Sequence, residues 1–168
     1  MSADRIRPAR SGDPATAERA ASGRVGIPRT LLVASGPLGS LGAPAAAAAI
    51  GEGLWLGGWE QLDLCPLDAD PTAPARLQLE AVGLPARLRR SRAVLIASQR
   101  LTPHDLLGSV GFEIATQARQ GGVPAYALAV EDSLGAFPAR MLDLQVVMQV
   151  SAGERALTRA GRELAGLL

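Results

Sequence analysis

The stretch RTLLVASGPLGSLGAPAAAAAIGEGL, residues 29 to 54, holds two patterns in succession. From Arg29 to Ser35 it is an apolar run closing on small side chains, the mark of a strand buried on both faces. Glycines at 36, 39 and 42 then punctuate a turn. Pro44 suits the first turn of a helix, where a missing N–H leaves no bond unmade, and the alanines with Ile50, Gly53 and Leu54 continue that helix. Strand, glycine turn and helix in that order open an α/β unit, and in such units the turn lies where ligands gather.

The same alternation recurs down the chain. EQLDLCPL (60–67) reads as a second strand and PTAPARLQLEAVG (71–83) as a helix stopped by Gly83. RAVLIAS (92–98) is a third buried strand, and PHDLLGSVGFEIATQARQGG (103–122) a helix with Pro103 in its first turn. PAYALAV (124–130) and DLQVVMQV (143–150) are the fourth and fifth strands, separated by the short SLGAFPARM. AGERALTRAGRELAGLL (152–168) is an amphipathic last helix, with Ala156, Leu157, Ala160, Leu164 and Leu167 or Leu168 near one face. Strands alternating with helices predict an α/β fold: a three-layer, doubly wound, mostly parallel sheet of about five strands, Rossmann-like. Residues 1–28, rich in Arg, Ala, Pro, Gly and Ser, read as a mobile tail before a domain over 29–168. The carboxyl edge of the sheet collects Ser35 to Gly39, Asp68-Ala69-Asp70, Ser98-Gln99-Arg100 and Glu131-Asp132.

Composition narrows the chemistry. Hydrophobic residues make up 48% of the chain and aromatic ones 3%, so Leu, Val, Ile and Ala must build the core. All 17 basic residues are Arg, nearly balanced by 16 acidic ones, which argues against a nucleic-acid partner. Without lysine there is neither a Schiff-base amine nor the compact cation that kinases place on a transferring phosphate. Cys65 is the only cysteine and His104 the only histidine, which excludes intrachain disulfides and His/Cys metal clusters. Cys65, within QLDLCPL, reads as a small core residue. No apolar stretch is long enough for a membrane span, and the first residues lack the apolar segment of a secretory signal, so a cytoplasmic setting is expected.

Several side chains admit two readings. The spacing Gly36-x-x-Gly39-x-x-Gly42 is neither a dinucleotide fingerprint nor a P-loop; it is a packed strand-to-helix turn or an anion cradle of backbone N–H groups. Arg100 is a paired surface residue or a ligand clamp. Asp68 with Asp70, and Glu131 with Asp132, are exposed loop carboxylates or, if they converge, Mg²⁺ ligands. His104, in the expected first turn of its helix, reads as exposed, with no nucleophile motif for it to serve. Trp55 and Trp59, four apart near a helix end, read as core packing; an exposed pair would instead mark an interface.

LLVASGPLGSLGAPAAAAAIGEGL resembles the opening of the bacterial glycerate kinases that begin VIAPDSFKGSLSAxEAAxAIxxGL, with Gly39-Ser40-Leu41, Ala43, Ile50 and Gly53-Leu54 in register. RAVLIASQRLTPHDLLGSVGFEIATQARQGGVPAYALAV is similar to that family's later DLVITGEGRxDxQTLxGKxPxGVAxxAxxxGVPVIALAG, and ERALTRAGRELAGLL fits its ending. The resemblance implies the family's first, Rossmann-like domain alone. The second domain, inserted in the family between the early and late strands, has no counterpart between CPLDADPT and RAVLIAS, where the chain has a helix and the linker LPARLRRS.

The motif polar groups have also changed. The family's Asp-Ser-Phe-Lys stands here as Ser35-Gly36-Pro37-Leu38, and its Gly-Glu-Gly-Arg-x-Asp as Ala97-Ser98-Gln99-Arg100-Leu101-Thr102. Its Ala-Asp-Gly-Gly-Glu-Gly-Thr region is Asp68-Ala69-Asp70-Pro71-Thr72, and the lysine after its later glycine is Ser109. Phosphoryl transfer needs positioned cations and a carboxylate-held metal. The resemblance with these losses implies a catalytically inactive glycerate kinase-like protein that binds a small anionic ligand or a protein partner, with no catalytic or metal-ligating residue. The expected anion contacts are Ser35, Gly36, Gly39, Ser40, Ser98 and Arg100. The alternative is a minimal glycerate kinase using ATP and Mg²⁺, completed by a partner or second copy. A homodimer is expected, because loss of the inserted domain would uncover the strand-end surface.

Overall fold

A computed structural model describes residues 30–68, 70, 72–104 and 108–168. The tail expected over 1–28 lies outside the described residues. Strand β1 (Thr30–Ser35) is buried from Leu31 onward, because it lies inside the sheet with a neighbour on each side. The other strands are β2 (Leu62–Pro66), β3 (Ser91–Leu101), β4 (Ala125–Asp132) and β5 (Leu144–Gln149). All pairings are parallel, in the order β2-β1-β3-β4-β5. From β1 the chain moves outward to β2, then returns across β1 to build the other side. That reversal between β1 and β3 parts the connections at their carboxyl ends and leaves a crevice there. The fold is α/β, doubly wound and Rossmann-like.

Period-two alternation divides the core into two layers. On one face Leu31, Val33 and Leu95 pack against helices α1 (Ala43–Leu56) and α6 (Glu154–Ala165). On the other, Leu32, Val94 and Ile96 meet α2 (Ala75–Ala81), α3 (Leu84–Arg89) and α4 (Val110–Gln120). The short α5 (Ala136–Met141) precedes β5. Helices α1 and α6 cross backbone on backbone. A Cβ at Gly53 would overlap the Thr158 carbonyl, and one at Gly161 the Ile50 carbonyl.

The connections depart from expectation in three places. The helix expected over 71–83 is there as Ala75–Ala81 and stops before Gly83, which adopts φ +67°, but a second helix, Leu84–Arg89, follows at once, so LPARLR of the supposed linker is helical. Arg87 fastens that second helix to the sheet, pairing with Asp63 and donating to the Val82 carbonyl at 3.0 Å. The helix expected from Pro103 begins only at Val110, and β3 runs on to Leu101. Trp55, expected in the core, is 63% exposed. The side of α1 facing α6 is lined by Gly53 and Gly57, where a Cβ already collides, so an indole has no room between the helices. Trp59 is half-buried, with the Arg92 guanidinium 5.9 Å from its ring centroid.

Strand β2 is an edge, and its chemistry blunts it. Leu31 N–H donates to Gln61 and Leu67 N–H to Ser35, so alternate residues face β1 and Leu62, Leu64 and Pro66 turn their backbone groups outward. Pro66 has no donor to offer, and the Leu64 carbonyl accepts from Arg87 at 3.4 Å.

Candidate functional site: a cleft at the strand reversal

Where β1 and β3 part, a cleft of about 370 Å³ opens at the carboxyl edge of the sheet. Gly36 and Pro37 form one side. The second is β3 itself, which continues beyond the Ser35–Ala97 register pair as Ser98-Gln99-Arg100-Leu101, still paired to β4. The third is the start of α4, with Ser109, Val110, Gly111 and Ile114. Ser109 is the N-cap of that helix: its hydroxyl accepts from the Phe112 N–H at 3.2 Å. A Cβ at Gly111 would come within 3.2 Å of the Ser98 hydroxyl oxygen, so the small residue lets α4 close on β3.

The glycine turn spends its donors internally. Gly36 N–H donates to the Ala97 carbonyl at 3.0 Å, Leu38 and Leu41 exchange N–H···O=C bonds, and Gly39 N–H donates to Gln99 Oε1 at 2.7 Å. Gly39 adopts φ +59°, and an added Cβ there would also collide with Ala152. Leu38 is wholly buried beneath the turn. The resulting geometry is that of a packed strand-to-helix connection, and the donors expected to cradle an anion at Gly36 and Gly39 are committed.

Arg100 is the one ionisable side chain among the described residues lining the cleft. Its Nε lies 3.0 Å from Glu131 Oε2, both side chains being more than half exposed. Such a pair contributes little to stability and exchanges readily for another anion. The remaining carboxylates at this edge do not converge. Asp70 accepts from the Thr72 hydroxyl at 2.6 Å and its N–H at 2.8 Å, and these bonds hold its carboxyl below the usual range. Asp132 accepts from the Leu134 N–H at 3.0 Å, and Asp68 is exposed. Among the described residues no group of three His, Cys, Asp or Glu side chains is placed to hold a metal ion. The described carboxylates at this edge, as placed, do not form a site for the Mg²⁺ that phosphoryl transfer would require.

Of the six expected anion contacts, the cleft brings together Gly36, Ser98 and Arg100. Ser35 is fully buried, its hydroxyl donating to the Gly36 carbonyl at 2.9 Å. Gly39 and Ser40 are exposed on the turn, outside the cleft lining. Reading the sequence missed Gln99 as the residue that locks the turn, and Glu131 as the counter-ion of Arg100. No local pattern announces a contact between residues 60 apart. The 31-residue spacing of Arg100 and Glu131 becomes meaningful only through the β3–β4 register.

Fold and cleft together define a doubly wound α/β domain with a crevice at its strand reversal. No family model matches the chain, and no curated protein matches it. Among solved structures it is similar to a putative glycerate kinase 2 from Salmonella typhimurium LT2, at 15% identity and a TM-score of 0.42 over 64% of this chain. The chain spans 26% of that protein's length. Among the described residues no helix is long and apolar enough to cross a membrane.

Proposed function

We propose that this protein is a glycerate kinase-like pseudokinase that binds a small anion in the cleft between β1 and β3 without transferring a phosphoryl group. One observation carries the reading: the described lining offers a single exchangeable guanidinium, Arg100, beside the Ser98 and Ser109 hydroxyls, with neither carboxylate nor lysine. A cation and hydroxyl donors suffice to hold an anion. They do not suffice for an in-line displacement, whose charge has to be neutralised by metal and cations at both reacting oxygens. On this reading the protein uses neither ATP nor Mg²⁺ as a cofactor. Its one Rossmann-like domain runs over 29–168, and it is a cytoplasmic protein that pairs with a second copy of itself.

The test is direct. Purified protein supplied with Mg-ATP and glycerate forms no phosphoglycerate above background, while titration calorimetry detects anion binding at about the millimolar scale, corresponding to about 4 kcal/mol. Arg100→Ala abolishes that binding and leaves the melting temperature within a few degrees, since the pair it breaks is exposed. Titratable turnover by the isolated chain would overturn the pseudokinase reading. Anion affinity unchanged in the Arg100 variant would remove that residue from the site.

A further inference from the structure

The wall of the cleft says more about its occupant than the charge does. Apart from Ser98, Gln99, Arg100 and Ser109, the described side chains lining it are hydrocarbon, Pro37, Leu67, Ile96, Leu101, Val110 and Ile114 among them. We infer that the ligand is a monocarboxylate with a compact apolar body, its carboxylate at Arg100 and its hydrocarbon against Pro37 and Val110, the apolar lining side chains with surface to offer. This rests on the anion-binding reading of the same cleft and narrows it to one chemical class.

Three features exclude other anions. First, Arg100, the single guanidinium of the described lining, is already paired, with Glu131 Oε2 3.0 Å from its Nε. A ligand carrying two or more charges would bring its surplus against that carboxylate, whereas a monoanion replaces it. Second, hydroxyl groups along the ligand body would be taken from water onto Pro37 and Val110, whose side chains return no hydrogen bond. Third, the amide of Gln99 has a fixed sense. Its Oε1 accepts from the Gly39 N–H at 2.7 Å, which ties the side chain to the turn and leaves Arg100 with the serine hydroxyls as the polar side chains of the described lining open to a ligand. Guanidinium and serine hydroxyls thus lie beside an apolar wall, and a cleft of about 370 Å³ has room for a small branched acid.

The experiment titrates the full chain with four probes: 3-methylbutanoate, its uncharged amide, glycerate and inorganic phosphate. 3-Methylbutanoate is expected to bind about ten-fold more tightly than glycerate or phosphate, since each buried methylene is worth about four-fold. Removing the charge in 3-methylbutanamide costs about ten-fold. Arg100→Gln lowers affinity for the carboxylate to that of the amide and leaves the amide's own affinity unchanged. Val110→Thr keeps the side-chain volume and weakens 3-methylbutanoate about three-fold, with phosphate unaffected. Phosphate or glycerate binding as tightly as 3-methylbutanoate would overturn this inference while the anion site stood. Failure of every anion to bind would overturn both. Amide and carboxylate of equal affinity would leave an apolar pocket and remove the charge from the argument.

Discussion

At the scale of single residues, Cys65 shows how position decides chemistry. It is 1% exposed on β2, within the layer that faces α2 and α3. Burial pushes its thiol above the ordinary value, with Arg87 pulling partly the other way. The thiolate is the nucleophile, so native protein at pH 8 should react with a thiol reagent far more slowly than the denatured chain. The folded state holds the thiol proton more tightly than the unfolded state. Its contribution to stability is therefore complete below the ordinary thiol pKa and is lost as pH rises through the raised one. Denaturation curves at pH 8 and pH 10 should show a smaller alkaline loss in Cys65→Ala than in the parent. An equal loss in both would assign the alkaline slope to other groups. Ser109 makes a similar point: standing where the resembling family has lysine, it caps α4, so its hydroxyl has structural work whatever the cleft binds.

At the scale of elements, two glycines of the resembling segments have a packing explanation. Gly53 and Gly161 lie where α1 and α6 touch backbone to backbone. An alanine at either has to push apart the two helices that together cover one side of the sheet. Gly53→Ala and Gly161→Ala are expected to destabilise by about 3 kcal/mol, at the upper end of overpacking costs. Gly153→Ala is the control: its extended φ of 162° suits any residue and its Cβ meets open space, so it should change stability by less than about 0.5 kcal/mol. Urea melts of the three variants decide the matter. Equal, small effects at all three positions would mean that the helices can part without cost. The double variant Gly53→Ala/Gly161→Ala should cost less than the sum, because one displacement of α6 relieves both clashes.

At the scale of the whole molecule, the exposed apolar surface is not gathered at the cleft. Helix α1 leaves the carboxyl edge and ends at Leu56, where Gly57 sits against Ala165 of α6. Trp55, Leu56 and Leu167, each more than half exposed, therefore lie toward the amino edge, opposite the cleft. The homodimer expected from an uncovered strand-end surface is better served by this end. Sedimentation at high micromolar concentration should show a dimer, and Trp55→Ser should shift it toward monomer while leaving anion binding intact. A monomer throughout would reject self-association. A dimer unmoved by Trp55→Ser would place the contact elsewhere, with Phe137 and Met141 of α5 the next exposed apolar pair.

Helix-strand alternation, a mostly parallel sheet and the buried aliphatic core were legible in one dimension, because burial on both faces writes an uninterrupted apolar run and helices between such runs force parallel crossovers. β1, Thr30–Ser35, was readable for that reason, the expected Arg29 lying outside the described residues. Boundaries set by competition were not. Pro103 is a good helix starter by itself, yet pairing with β4 carries β3 to Leu101 and the Ser109 cap starts α4 at Val110. Arg100 was singled out from the sequence, but its partner, its exposure and its place in the cleft follow from the register of two strands. The glycine turn likewise carried a signal of close packing, while the assignment of its donors waited on Gln99, a residue 60 positions away. Local sequence determines which segments are strands, helices and turns, because propensity and periodicity act over a few residues. Only the tertiary structure decides which hydrogen-bonding groups remain for a ligand, because the sheet and the side chains it brings together claim theirs first.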